Sequence, residues 1–123
     1  MDIESQKEVA KEVLESIRAL DDRAIIAGGA PRDWYFNTLA NDIDIFYHFE
    51  TNTNCLNDIR KQKNILKKLL GVDEINVLGF NPEIHDHEKQ PKDDFSNYLK
   101  NPDIKNVYEA EIKGVKSIVM EDG

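Results

Sequence analysis

The chain has 123 residues, of which 40% are hydrophobic and 33% charged, and a formal net charge of −8. This length predicts a single domain, 1–123, with a modest core, and no apolar run approaches the ~20 residues of a membrane span. The acidic balance argues mildly against strong non-specific nucleic-acid binding, which rests on many Lys/Arg–phosphate contacts.

Residues 1–22 read as an N-terminal helical segment. Ile3, Val9, Val13, Leu14, Ile17 and Leu20 recur at helical spacing over 3–20, with Glu and Lys between them, and Asp21-Asp22 ends the run. An acidic helix of this kind does not read as a signal peptide. Residues 23–27 form a short apolar strand that runs into Gly28-Gly29. Pro31 suits the first position of a helix, and Arg32 to Leu39 is the expected short helix, with Trp34, Phe36 and Leu39 as its bulk. Trp34 and Tyr35 are expected to pack that helix onto the sheet.

Asp42 to Phe49 is the second strand, rich in branched and aromatic residues. Thr51 to Asn54 reads as a turn and N-cap, followed by an amphipathic helix from Cys55 to Leu70 that Gly71 stops. Arg60, Lys61, Lys63, Lys67 and Lys68 lie on this helix and read as its solvated face rather than an RNA groove. Residues 72–80 are a third strand, with Ile75, Val77 and Gly79 on one face. Residues 81–105 carry Pro82, Pro91 and Pro102 and read as a long polar loop with a short helix at Phe95–Leu99. Residues 106–120 then alternate as a hairpin turning near Lys113-Gly114. The whole is an α+β fold, a mixed sheet with helices packed on one face.

The chemistry concentrates early in the chain. Side chains at i and i+2 of a strand share a face, so Asp42 and Asp44 stand together, opposite Ile43, Ile45 and Tyr47. Paired carboxylates suit Mg²⁺ held jointly with substrate phosphates. Gly28 and Gly29 let the backbone approach a phosphate, and the helix start behind them favours an anion. In Val107–Ile112, Glu109 and Glu111 share one face and Tyr108, Ala110 and Ile112 the other, so this strand can add an acid to a metal face. Glu111 lies deeper in the apolar run and is preferred, with Glu109 as the alternative.

Gly28-Gly29-x-x-Arg32-Asp33, eight further residues and Asp42-x-Asp44 together resemble the polymerase-β-type nucleotidyltransferase superfamily. Within it they look most like the head domain of CCA-adding enzymes and bacterial poly(A) polymerases. The resemblance covers residues 24–47. It implies catalytic and metal-binding roles for Asp42, Asp44 and a third acid on a neighbouring strand, Glu111 or Glu109, holding two Mg²⁺ or Mn²⁺ ions. It implies nucleotide binding by Gly28, Gly29 and Arg32, with Asp33 either in the chemistry or at the helix start for structural reasons. The implied reaction moves a nucleoside monophosphate from an NTP, ATP or CTP, to a hydroxyl of RNA, protein or a small molecule, releasing pyrophosphate.

The related enzymes continue past the catalytic sheet into base-selecting and tRNA-binding helices, whereas this sequence ends soon after its last strand. The expectation is a minimal transferase, of the kind found in bacteria and bacteriophages, or a part of a longer protein. Two rivals from other classes stand beside it: a catalytically inactive nucleotide- or protein-binding module of the same fold, and an antitoxin-like subunit whose acidic surface docks on a basic protein.

The remaining candidates read more plainly. His48 falls on the face of Asp42 and Asp44 and can line the pocket edge. His85-Asp86-His87 reads as a solvated or substrate-contacting loop rather than a zinc site, because no cysteine is near. Cys55 is the only cysteine, which excludes an internal disulfide and fits a reducing compartment such as the cytoplasm.

Overall fold

The computed structural model describes residues 1–51, 56–80 and 104–122. In chain order the elements are α1 (Ile3–Ile17), β1 (Ile25–Ala27), α2 (Gly29–Tyr35), β2 (Ile43–His48), α3 (Leu56–Leu70), β3 (Asn76–Phe80), β4 (Ile104–Ile112) and β5 (Val115–Asp122). The fold is α+β. Five strands form one mixed sheet in the order β1-β2-β5-β4-β3, in which β2 runs parallel to β5 and every other pair is antiparallel.

α1 begins where the Asp2 carboxylate accepts the Ser5 backbone N–H at 2.8 Å, an N-cap that pairs one of the orphan donors of the first turn. Its periodic side chains Val9, Ala10, Val13 and Ile17 are buried against Ile43, Ile45 and Tyr47 of β2 and Tyr108, Ala110 and Val119 of the hairpin. Leu66 of α3 joins the same cluster, so the apolar alternation of the strands and the helical stripe of α1 meet in one core. The β4–β5 turn uses Lys113 and Gly114 with φ of 51° and 80°, the paired positive values whose twist suits a two-residue hairpin.

Several boundaries depart from the sequence expectation. The short helix runs from Gly29 to Tyr35, not from Arg32 to Leu39. It stops because Asn37 turns left-handed at φ 60° and the Thr38 N–H closes back onto the Asp33 carbonyl at 2.8 Å. Pro31 therefore sits third in the helix, still inside the first turn where no backbone partner for its nitrogen is needed. Leu39 and Tyr35, expected to pack, are exposed, Tyr35 at 83%. α1 ends three residues early, and β3 starts at Asn76 with a register shift between Val77 and Gly79. Residues 81–103, with the helix expected at Phe95–Leu99 and His85-Asp86-His87, lie outside the described residues, as does Cys55. No described helix is long and apolar enough to cross a membrane.

Two buried polar clusters tie the helices to the sheet. Gln6 of α1 donates through Nε2 to the Ala40 carbonyl at 2.8 Å. Its Oε1 accepts both the Ala40 N–H, at 2.9 Å, and the Trp34 indole N–H, at 2.8 Å. One side chain thus fixes α2 and the segment leading into Asp42. At the other end of β2, Glu121 Oε1 accepts from the Tyr47 hydroxyl at 3.2 Å and from Thr51 Oγ1 at 2.9 Å, while Gln62 of α3 donates to the Tyr47 oxygen at 2.7 Å. Burial, and then the nearby Glu121 carboxyl, pushes the Tyr47 and Tyr108 hydroxyls far above the usual tyrosine range, so both stay protonated.

Candidate functional site

The strand β1 delivers the glycine turn to the aspartate strand. Register pairs Ala27 with Asp44, so Gly28 follows directly beside that carboxylate. Gly28 takes φ 75° and ψ −142°, a conformation that a side chain at this position strongly disfavours. The space is closed as well: a Cβ on Gly28 would lie 2.4 Å from Asp44 Oδ2. Asp44 itself is 7% exposed, whereas Asp42, at the mouth of β2, is half-buried.

On the far side of the turn stands Arg32. A Cβ on Gly29 would meet its Nη2 at 3.2 Å, and the guanidinium is held there by Asp33, whose Oδ1 accepts from Nη2 at 3.3 Å and from Nε at 3.4 Å. The two glycines therefore lie between a carboxylate and a guanidinium. Chemically, a guanidinium beside an open glycine turn can accept phosphate oxygens, and carboxylates can ligate a divalent ion. Because α2 has only seven residues, side chains rather than a long helix dipole carry the charge here.

Asp42, Asp44, Gly28, Gly29 and Arg32 are brought to one corner of the sheet. Glu109 and Glu111 share its Asp44 face but stand on β4, with β5 between. Across the sheet the row reads Ala27, Asp44, Ile118, Glu109, Asn76. Glu109 is thus two strand spacings from Asp44, about 10 Å. Ile118, fully buried, occupies the position directly beside Asp44. Glu111 pairs with Lys116, whose ammonium lies 3.3 Å from Glu109 Oε2. Both glutamates line an open cleft of about 920 Å³ with Asp73, Glu74 and Lys116, and none of Gly28, Arg32, Asp42 or Asp44 borders it.

His48 closes the other end of β2. It is exposed, and its backbone N–H donates to Asp21 Oδ2 at 2.7 Å. That bond, more than any other influence, holds the Asp21 carboxyl below its usual range. Gln6 and Glu121 escaped the sequence reading, since a glutamine in a polar helix and a glutamate near the C-terminus carry no local sign of burial. No family model matches the chain, and no curated protein or solved structure matches it.

Proposed function

We propose that this protein is a metal-dependent nucleotidyltransferase that moves a nucleoside monophosphate from an NTP to a hydroxyl acceptor. The observation that carries the reading is the contact between Gly28 and Asp44. A turn that has shed its side chains against a buried strand carboxylate, with Arg32 on its other flank, has the donor set for a metal-bound phosphate chain.

Asp42 and Asp44 fit one divalent ion shared with phosphate oxygens. Among the described residues, Glu109 and Glu111 stand two strands away on β4, so the reading rests on the one ion that Asp42 and Asp44 would hold. When bound, the ion supplies Lewis-acid polarisation of the α-phosphate. The chain's own groups do the positioning. The glycine turn admits the phosphates, Arg32 offsets charge on the departing pyrophosphate, and Asp33 keeps that guanidinium over Gly29. The acceptor oxygen forms a bond to the α-phosphorus as the bond from that phosphorus to the bridging oxygen breaks. The hydroxyl proton leaves to solvent on the half-exposed Asp42 side. ATP or CTP would serve as donor in a cytoplasmic setting, with RNA, protein or a small molecule as acceptor.

A second reading, a nucleotide-binding module without turnover, draws on Ile118, which puts an apolar side chain where a third acid would stand beside Asp44. Pyrophosphate release and NTP binding, measured in parallel with Mg²⁺ or Mn²⁺, separate the two. Release abolished by Asp42→Asn and Asp44→Asn supports the transferase. Stoichiometric, metal-dependent binding with no release supports the module, and neither binding nor release overturns both.

A further inference from the structure

The exposed face of α2 continues the phosphate corner with an aromatic surface that no described element covers. Gly29, Arg32, Asp33 and Phe36 fall at i, i+3, i+4 and i+7, so they form one stripe along the helix. The opposite face, Ala30 and Trp34, turns inward to the core and to Gln6. At the end of the stripe Tyr35 and Phe36 are 83% and 69% exposed. Their rings meet edge to face, with centroids 5.2 Å apart and planes at 87°. The pair is held in place: the Phe36 N–H still bonds the Arg32 carbonyl, and the left-handed Asn37 and the Thr38–Asp33 bond close the turn behind it.

Resting on the nucleotide reading above, we propose that Tyr35 and Phe36 are the stacking platform for the nucleobase of a nucleotide whose phosphates lie against Gly28, Gly29 and Arg32. Gly29 and Phe36 are separated by about 10 Å of helix, a span that the sugar and phosphates of one nucleotide bridge. The sequence of surfaces matches the ligand's own order: a glycine turn, a guanidinium, then an aromatic pair whose perpendicular rings offer a base one ring face and the edge of the other. Each base has a π-face, so stacking of this kind holds a nucleotide without selecting its base. Arg32 is paired with Asp33 at 3.3 Å yet its side chain is 71% exposed, so it keeps N–H donors that a phosphate can engage and a purely apolar partner cannot.

The test compares binding of Mg²⁺-ATP, Mg²⁺-CTP and Mg²⁺-triphosphate, the last with no base, to wild type and to Tyr35→Ala, Phe36→Ala and the double variant. Both side chains are exposed, so thermal melts are expected to stay close to wild type. The expected result is a loss of at least about fivefold in affinity for both NTPs in the double variant, with triphosphate affinity unchanged. Unchanged NTP affinity overturns the platform while leaving the phosphate site standing. An equal loss for NTP and triphosphate also overturns it, because the pair would then act on the turn. Self-association that the double variant abolishes, at unchanged NTP affinity, assigns the patch to a second copy of the chain and overturns it too. Absence of any binding to wild type removes both the platform and the phosphate site.

Discussion

Replacing Gly28 by alanine isolates the contact on which the site depends. The backbone at φ 75°, ψ −142° is sparsely populated for any residue with a Cβ, and holding alanine there costs on the order of 1–3 kcal/mol. The new methyl would also stand 2.4 Å from Asp44 Oδ2, and real Cβ contacts essentially never fall below 3.0 Å. The carboxylate must therefore retreat by more than half an ångström, into a strand flanked by β1 on one side and the buried Ile118 on the other. For a domain of this size 1–3 kcal/mol lowers the melting temperature by roughly 4–15 °C.

Gly29→Ala is the internal control. Its backbone is not left-handed, and the one tight contact of its Cβ would be with the far end of the Arg32 side chain, at 3.2 Å, which swings away cheaply. Thermal melts of the two variants should separate clearly, Gly28→Ala falling and Gly29→Ala staying within about 2 °C of wild type. Isothermal titration with Mg²⁺-ATP should show both weakened, the first through Asp44 and the second through Arg32. A Gly28→Ala protein that melts and binds like wild type would refute the argument that this turn is shaped around the carboxylate.

Other consequences are simpler to read. Gln6→Ala orphans the Trp34 indole N–H and both backbone groups of Ala40, so chemical denaturation should show a loss of about 2–4 kcal/mol, with a changed tryptophan emission. Tyr108→Phe removes a buried hydroxyl without a hydrogen-bond partner among the described residues, and the variant should be as stable as wild type or more so. Asp21 has a lowered carboxyl pKa in the folded state, so its contribution is complete above the ordinary carboxylate range and fades as pH falls through that range and below it. Melts of Asp21→Asn and wild type should therefore differ most near neutrality and converge in acid.

Much of the corner was legible because its signals are local. A glycine pair ending an apolar strand is a local signal, and alternation puts Asp44 opposite Ile43, Ile45 and Tyr47, which turn inward, while Asp42 lies one residue before the strand. The separation of Glu109 and Glu111 from Asp44 was not legible. Alternation does assign Glu109 and Glu111 to the Asp44 face, yet which strand lies beside β2 is a long-range fact. The parallel pairing of β5 with β2 inserts Ile118, and no local pattern announces it. The end of α2 was misread for a related reason. Phe36 and Leu39 have the helical spacing of packed residues, but the left-handed Asn37 breaks the helix and leaves Phe36 and Leu39 in solvent. The Gln6 latch depends on a contact 34 residues away in sequence, beyond the reach of any window.

Transfer of label from an NTP to an acceptor decides whether the Gly28–Asp44 corner is catalytic. The protein is incubated with Mg²⁺ or Mn²⁺ and each α-labelled NTP, with a bacterial lysate as the acceptor pool and Asp42→Asn/Asp44→Asn as control. Label in RNA, protein or a small molecule is expected with wild type alone. Label that appears equally with the double variant, or with neither protein, rules out transfer by Asp42 and Asp44.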